Sequence, residues 1–274
     1  MYKKAIYTLR SNERLTPAVW RMTLEGDTQW ITAPGQFVNV ELDGCYLRRP
    51  ISVCDWDERT ITLIYKVVGE GTALMAGLRP GARLDLLTGL GNGFDVTKGS
   101  RRELLVGGGV GVPPLYNLAK RLLADGREVA VVLGFNTAAE VFYRDEFAQL
   151  GCRVVVATAD GTEGVRGFVT DAIRESGLTY DYFYACGPQD VDVVEIAEFV
   201  AESERTAGRN DRIVQPPAAQ RNRQVARNRF RYHITSSFVN TGPSLQMRLL
   251  PYLVLQLHPM QAPNPQPMRS SKLS

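Results

Sequence analysis

Short runs of alternating apolar and polar residues fill the first 99 positions. This alternation predicts β-strands that bury one face, and turn residues such as Gly26-Asp27 and Pro80-Gly81 separate them. Evenly spaced short strands with such turns are typical of a small antiparallel barrel. We therefore predict a barrel domain over residues 1–99, with strands at 4–9, 19–24, 37–42, 50–54, 60–67 and 83–87.

The pattern changes near residue 100, where continuous apolar runs alternate with amphipathic stretches. Unbroken runs of Val, Leu and Ala predict strands of a parallel sheet that is covered on both faces. Residues 100–205 are therefore predicted to form a doubly wound α/β domain. Its strands are expected at 104–106, 128–134, 153–157 and 182–185, and its helices at 114–124, 145–150, 169–175 and 189–204.

A third region, residues 206–274, differs in composition. Nine of the chain's 32 Lys and Arg residues follow Asp211, whereas none of its 29 acidic residues does. No hydrophobic period is sustained and prolines are frequent near the end, so most of this tail is predicted to be disordered. Such a composition is typical of a shifted reading frame or a gene fusion, a hypothesis that resequencing the gene tests.

The arginine cluster at 212–231 leaves a binding function open for the tail. Clustered positive charge can bind an anionic surface or nucleic acid. Only Phe230 and Tyr232 offer stacking there, and no nucleic-acid-binding motif is present. We interpret the tail as solvated or non-native and do not expect a nucleic-acid partner.

Histidine and cysteine positions exclude several kinds of site from the main body. His233 and His258 both lie in the tail, so no histidine base or histidine-ligated metal is expected before it. Neither a membrane-spanning apolar run nor the core of a signal peptide is present, and a cytoplasmic protein is expected. The cysteines lack metal-ligand spacing and are expected to be free thiols: Cys45, Cys54, Cys152 and Cys186.

The stretch 104–115 carries the clearest chemical signal. A short apolar strand runs into four glycines between positions 107 and 111, and a helix then begins near Pro113-Pro114. The start of a helix presents unpaired N–H groups, and glycines let a phosphate approach them closely. The sequence therefore predicts a phosphate-binding turn. The glycines depart from the G-x-G-x-x-G spacing, so a tight turn that binds nothing remains the alternative.

Two barrel segments offer further ligands for an anion. Arg48 and Arg49 precede Ser52, and a guanidinium group can hold a diphosphate while the hydroxyl reaches a ring bound beside it. The alternative is a surface arginine pair and an ordinary strand serine. Residues 64–72 end a strand in a second glycine turn, where Thr72 opens the next helix.

Six segments, in this order, resemble the ferredoxin reductase family of flavoproteins, and within it the electron transfer subunits of NAD-linked dihydroorotate dehydrogenases. They read LRRPIS, IYKVVGEGT, GLGNGF, LLVGGGVGVPPL, TADGTEGVRGFVTD and YACGP. Each segment alone is a weak signal, whereas the ordered set is specific. The resemblance implies a barrel that binds FAD, followed by an α/β domain that binds a nicotinamide nucleotide.

The resemblance also implies roles for individual residues. Arg49 would bind the FAD diphosphate, and Ser52 would lie near the reactive ring nitrogen of the flavin. The other flavin-binding residues would be Pro50, Ile51, Ile64, Tyr65, Lys66, Gly71 and Thr72. The nucleotide phosphates would be bound by Gly108, Gly109, Val110 and Gly111. The nicotinamide would lie beside Asp160, Gly161, Cys186, Gly187 and Pro188.

The implied reaction is hydride transfer between nicotinamide and flavin, which needs alignment of two cofactors and no acid or base from the protein. Ser52 and Cys186 would flank the rings. Residues 133–137 contain neither a base for a 2′-phosphate nor an acid for a ribose, and this favours NAD over NADP. The family's partner is an FMN-containing catalytic subunit, in a heterotetramer that oxidises dihydroorotate to orotate in pyrimidine biosynthesis.

One family feature is missing. The resemblance implies a [2Fe–2S] cluster held by four cysteines after YACGP, but no cysteine follows Cys186 in this chain, and no metal site is predicted. We therefore expect an electron transfer subunit that supplies the FAD and NAD sites only. Two alternatives stay open beside it: a reductase subunit of another redox complex, of the sulfide dehydrogenase, hydrogenase or sulfite reductase type, and a flavin-binding remnant without turnover.

Overall fold

The first part of the fold is a closed antiparallel barrel. It is taken from a computed structural model that describes residues 2–99, 101–188, 233–234 and 252–257. The six strands are β1 (Lys3–Arg14), β2 (Val19–Glu25), β3 (Phe37–Val40), β4 (Arg49–Trp56), β5 (Thr60–Lys66) and β6 (Arg83–Leu90). They close in the order β1-β2-β5-β4-β3-β6. Inward residues such as Tyr7, Met22 and Leu63 are fully buried, which confirms the barrel that the alternation predicted.

A short helix, α1 (Glu70–Gly77), follows β5 and packs on the barrel through the buried side chain of Met75. At its end, the Asn12 amide of β1 donates hydrogen bonds to the carbonyl oxygens of Met75 (2.9 Å) and Leu78 (3.3 Å). Carbonyls at the end of a helix lack partners within it, so Asn12 satisfies groups that would otherwise need water. The barrel therefore fixes where α1 ends.

The second part is a parallel sheet with helices on both faces. Its strands are β7 (Arg102–Gly108), β8 (Glu128–Phe135), β9 (Arg153–Thr158), β10 (Val165–Arg166) and β11 (Tyr182–Pro188), and its helices are α2 (Pro113–Ala124), α3 (Arg144–Gln149) and α4 (Val169–Ser176). The strands lie in the order β10-β9-β8-β7-β11. Leu105 packs with α2 and α3, whereas Leu104 and Val106 pack with α4. This two-sided burial confirms the doubly wound domain.

Two strands lie in the tail for which disorder was expected. The strand β13 (Tyr252–Leu257) pairs antiparallel with β11, and β12 (His233–Ile234) pairs antiparallel with β13. Neither was predicted, and nor was the two-residue β10. The apolar run Tyr-Leu-Val-Leu has high strand propensity and suits the open edge of β11. The predicted helix at 189–204 and the rest of the tail lie outside the described residues.

The barrel and the sheet share one apolar cluster. Val19, Ile64 and Phe94 of the barrel part pack together with Val112 and Leu115 at the start of α2. A common core of this kind holds two domains in one arrangement, because separating them would expose apolar surface. No helix within the described ranges is long and apolar enough to cross a membrane.

Candidate functional site

Arg49 lies across the start of α1. A Cβ atom placed on Gly71 would overlap the Arg49 Nε atom and would lie 2.8 Å from Cζ and Nη2. Glycine at position 71 leaves space for the guanidinium group here. The structure thereby brings together two predicted phosphate ligands that are separated by 21 intervening residues, and sets a cation beside the N-terminal turn of a helix.

The two neighbouring arginines of this segment have different environments. Arg48 bonds with Asp85 (2.8 Å), forms an ion pair with Glu41, and donates to the Asp85 carbonyl oxygen (3.1 Å). Arg49 donates to the Leu47 carbonyl oxygen (2.6 Å) and has no acidic partner within the described residues. Arg48 is thus a barrel cross-link, while Arg49 keeps its charge available for an anion.

Thr72 organises the turn before α1. Its hydroxyl oxygen accepts hydrogen bonds from the N–H groups of Val68 (2.9 Å) and Gly69 (3.2 Å) and donates to the Gly69 carbonyl oxygen (3.0 Å). The side chain is buried. Its hydroxyl is therefore used in shaping the turn, so a phosphate here would bind backbone N–H groups rather than this hydroxyl.

The flavin-lining residues expected from the sequence lie on two different faces of the barrel wall. Ile51 and Tyr65 pack into the barrel core, whereas Ile64 and Cys54 pack in the cluster shared with the sheet. Ser52 and Pro50 alternate with Ile51 along β4, so they share the outer face with Cys54. Lys66 likewise alternates with Tyr65 on β5.

Tyr65 is therefore not a side chain that can line an outer surface. Its ring is buried and its hydroxyl donates to Asn12 Oδ1 (3.0 Å). Burial raises the pKa of Tyr65 to about 12, so the phenol stays neutral. Only the backbone of Tyr65 and Ile51 is available to a ligand outside the barrel.

The glycine-rich turn after β7 is built by close backbone contact. Residues Gly109–Gly111 form one 3₁₀ turn before α2, and Gly109 has a φ of 49°. A Cβ on Gly111 would overlap the Cys186 carbonyl oxygen and would lie 2.6 Å from Gly187 Cα. A Cβ on Gly107 would meet Leu115 Cδ1 at 2.9 Å. Glycine is needed at 107 and 111 so that the turn can lie against α2 and β11.

Strand register determines which predicted nucleotide ligands are neighbours. Cys186 pairs with Gly107 across β11 and β7, so Gly187 and Pro188 adjoin the glycine turn. Asp160 follows β9 and lies three strand spacings from β11, or about 14 Å at the usual separation. One nicotinamide ring cannot contact both ends of that edge. The structure brings Cys186 to the glycine turn and leaves Asp160 and Gly161 on the far side of β8.

The far side of this edge carries acids and bases, since Arg144 is bonded to Glu163 (2.5 Å) and the Arg166 stem lies against Gly161. Asp160 Oδ1 accepts hydrogen bonds from the Thr162 hydroxyl (2.6 Å) and backbone N–H (3.0 Å), and these bonds lower the pKa of Asp160. Glu140 Oε2 accepts from the Asn136 amide (3.0 Å) just after β8. Residues 133–137, from which NAD was favoured over NADP, end three residues before Glu140, so this acid was not predicted. The signal was an acid in the short turn that follows the second strand.

The cysteines do not form a metal site. All four are free thiols, and Cys54, Cys152 and Cys186 are buried on separate strands or turns. Burial raises the pKa of the Cys186 thiol to about 12, so it is a neutral group. Within the described part of the chain, no three His, Cys, Asp or Glu side chains lie close enough to hold a metal. These residues do not fit a [2Fe–2S] cluster.

Comparison with known proteins supports the nucleotide fold. Residues 105–192 match the family described as the oxidoreductase NAD-binding domain. The NADH-dependent reduced ferredoxin-NADP oxidoreductase has a similar structure, with a TM-score of 0.64 and 28% identity over 73% of this chain and 72% of that one. A Neisseria gonorrhoeae ferredoxin NADP+ reductase with bound FAD and NADP has a TM-score of 0.64 at 18% identity, over 73% and 91% of the two chains, and shows the shared fold.

Curated relatives are more similar still. The dihydroorotate dehydrogenase B (NAD(+)) electron transfer subunit of Geobacillus sp. (strain WCH70) is 45% identical over 69% of this chain and 76% of its own length. The subunits of the same name from Bacillus caldolyticus and Fusobacterium nucleatum are 46% and 43% identical, each over 66% of this chain and 74% of the relative. At this identity and coverage, the chain belongs to the family of dihydroorotate dehydrogenase B (NAD(+)) electron transfer subunits.

Proposed function

We propose that this chain passes electrons between FAD and NAD(H) as the electron transfer subunit of an enzyme that oxidises dihydroorotate to orotate. The observation that carries the proposal is the position of Arg49 over Gly71 at the start of α1. A cation with no acidic partner among the described residues, a helix N-terminus and a glycine that leaves room between them form an anion cradle. The names of the curated relatives support the choice of reaction.

The barrel residues fit FAD. Arg49 and the backbone of Gly71 and Thr72 would hold its pyrophosphate. Ser52, Pro50, Ile64 and Lys66 would line the flavin from the outer face of β4 and β5, with Ile51 and Tyr65 contributing backbone groups only. When bound, FAD supplies a ring that takes up or returns a hydride.

The sheet residues fit a nicotinamide dinucleotide whose nicotinamide lies at β11 and whose adenosine lies beyond β8. Gly108, Gly109, Val110 and Gly111 would hold its pyrophosphate. The nicotinamide would lie at Cys186, Gly187 and Pro188, next to the barrel, and the adenosine on the side of Asp160 and Glu140. These two carboxylates disfavour a 2′-phosphate, while the charge of nearby Arg144 is paired with Glu163, and this supports NAD over NADP.

The chain's contribution to the reaction is alignment. The neutral Cys186 thiol adds no charge beside the nicotinamide, and the shared apolar cluster keeps water from the space between the two parts. Ser52 faces the sheet and is suited to donate a hydrogen bond to the ring edge. No residue needs to transfer a proton for a hydride to pass between stacked rings.

The relatives are named as electron transfer subunits, so the proposal includes a catalytic partner subunit. We expect an FMN-containing dihydroorotate dehydrogenase chain, in a heterotetramer. No electron path is assigned through a [2Fe–2S] cluster, because the cysteines do not fit one. A cytoplasmic location is also part of the proposal, supported by four free thiols.

Reconstitution tests the function. The FAD-loaded chain is mixed with an FMN-containing catalytic subunit of a curated relative, and NADH formation from dihydroorotate and NAD+ is followed by absorbance. We expect NADH only when both chains are present, and little with Arg49→Ala. If NADH reduces the FAD but dihydroorotate yields no NADH, the chain is a reductase of another complex or a remnant, and the proposed reaction is wrong.

A further inference from the structure

Asp55 joins the barrel to the sheet through α2. Its Oδ1 atom accepts hydrogen bonds from Asn117 Nδ2 (2.6 Å) and Lys120 Nζ (2.9 Å), and Oδ2 accepts from Lys120 Nζ (2.7 Å). Asn117 and Lys120 are three residues apart on α2, so they lie on one helix face. One carboxylate thus binds two donors of one helix, and both donors belong to the other domain.

The two elements that Asp55 connects are the ones that carry the candidate cofactor cradles. Ser52 precedes Asp55 by three residues on β4, a distance of about 10 Å along a strand. Lys120 lies seven residues after Pro113, or about 10 Å along the helix that begins at the glycine turn. Asp55 therefore lies at a similar distance from Ser52 on β4 and from the glycine turn before α2.

The rest of this interface contains apolar contacts and other hydrogen bonds. The apolar contacts of the shared cluster are non-directional. Arg127 Nη2 donates to the Val96 carbonyl oxygen (2.7 Å) and the Tyr184 hydroxyl donates to the Asp95 carbonyl oxygen (3.3 Å). These two bonds attach the chain after β6 to the sheet and do not involve α2. Only part of Asp55 is exposed, and its three directional bonds fix the position of α2 along β4.

We infer that Asp55 is a positioning residue that sets the distance between flavin and nicotinamide by locking α2 onto β4. This inference rests on the proposed function. Hydride transfer depends steeply on the separation and angle of the two rings, so a small slide of α2 slows it even when both cofactors stay bound.

The test compares three variants with the wild type. Asp55→Asn weakens the link while keeping the side-chain shape, and Lys120→Met keeps an apolar stem of similar length. The exchange Asp55→Lys with Lys120→Asp restores an ion pair of reversed polarity. Glu128→Gln is the matched control, because the Arg101–Glu128 pair (3.1 Å) lies within the sheet domain.

The rate of FAD reduction by NADH is measured by stopped flow, with the long-wavelength charge-transfer absorbance of the stacked rings. We expect the rate and the charge-transfer band to fall about tenfold in both single variants and to recover in the exchange. The Kd values for FAD and NADH should change less than twofold, and Glu128→Gln should match the wild type. An unchanged rate, or a loss of NADH binding in proportion to rate, overturns the inference.

A second readout needs no cofactor. Thermal unfolding of the FAD-free protein should keep one transition, because the shared apolar cluster still joins the domains. Its midpoint should fall by a few degrees in the single variants and recover in the exchange. If NADH fails to reduce wild-type FAD, the proposed function is wrong, and the positioning role is then judged by unfolding alone. An unchanged midpoint in Asp55→Asn and Lys120→Met, or no recovery in the exchange, rejects the lock.

Discussion

The two candidate phosphate sites, at the start of α1 and in the glycine turn before α2, bind an anion in different ways. In the barrel, the ligand is a side chain: the Arg49 guanidinium, brought over Gly71 by β4. In the sheet, the turn at Gly109–Gly111 has no charged side chain and depends on backbone groups and on space left by missing Cβ atoms. The first site is sensitive to loss of charge, and the second to gain of volume.

Because of this difference, separate substitutions should affect FAD binding and NADH binding. Backbone of the glycine turn cannot move away from the Cys186 carbonyl oxygen without disturbing β11, which is buried. A guanidinium group at the end of a flexible side chain can move. Added volume should therefore be tolerated better at Gly71 than at Gly111. Four experiments probe the two sites, in decreasing order of expected effect.

Gly111→Ala should have the largest effect. Its Cβ would overlap Cys186 backbone atoms, and overpacking of this kind costs about 1–3 kcal/mol. We expect NADH binding to be lost and FAD to remain bound, as measured by titration of the flavin-loaded protein. Gly126→Ala is the control, since Gly126 lies after α2, no atom lies within 4 Å of its Cβ and only the φ of 77° opposes it. Equal loss in both variants would contradict the role of space.

Arg49→Ala should come next. Charge-assisted hydrogen bonds contribute about 1.5–3 kcal/mol, so FAD affinity should fall about 10- to 100-fold while the melting temperature of the apoprotein stays the same. Arg48→Ala should do the opposite, keeping FAD and lowering barrel stability, because Arg48 is bonded to Asp85. A fully flavin-loaded Arg49→Ala protein would reject the barrel site.

Removal of two carboxylates near the expected adenosine should have a smaller effect. In Glu140→Gln with Asp160→Asn, the ion pair of Arg144 with Glu163 is kept and two negative charges are lost, so the Kd for NADPH should improve by about tenfold or less. The Kd for NADH should rise a few-fold. Both are measured by flavin fluorescence. If the preference between the two nucleotides is unchanged, the adenosine lies elsewhere.

The smallest effect concerns thiol chemistry. Only the thiolate is alkylated, and burial raises the pKa of Cys186 to about 12 and that of Cys152 to about 11. Native protein treated with iodoacetamide at pH 8 should therefore be modified first at Cys45, which is half-buried. Peptide mass spectrometry reads the order. Early modification of Cys186 would mean that its thiol is accessible to solvent in the native protein.

Much of the fold could be predicted from sequence periodicity. The alternation in residues 1–99 predicted six strands within a few residues of β1 to β6, and the continuous apolar runs predicted β7, β8, β9 and β11. The pairing of Tyr252–Leu257 with β11 could not be predicted, because an edge strand depends on a partner far away in sequence.

The site was less predictable, because its parts meet only in three dimensions. The sequence motifs named Arg49 and Gly71, but the close approach of the Arg49 side chain to Gly71 depends on how β4 passes α1. Alternation along β5 alone would have directed Tyr65 inward, away from a ligand on the outer face. Asp160 and Cys186 are separated by the order of the strands in the sheet, which could not be read from the sequence.

The central claim is that one chain holds FAD and NADH so that their rings meet. Its most direct test is an absorption spectrum of the FAD-loaded protein before and after anaerobic addition of NADH. We predict a flavin spectrum that bleaches with one equivalent of NADH. A protein that takes up no FAD, or a bound flavin whose spectrum NADH leaves unchanged, would contradict the account.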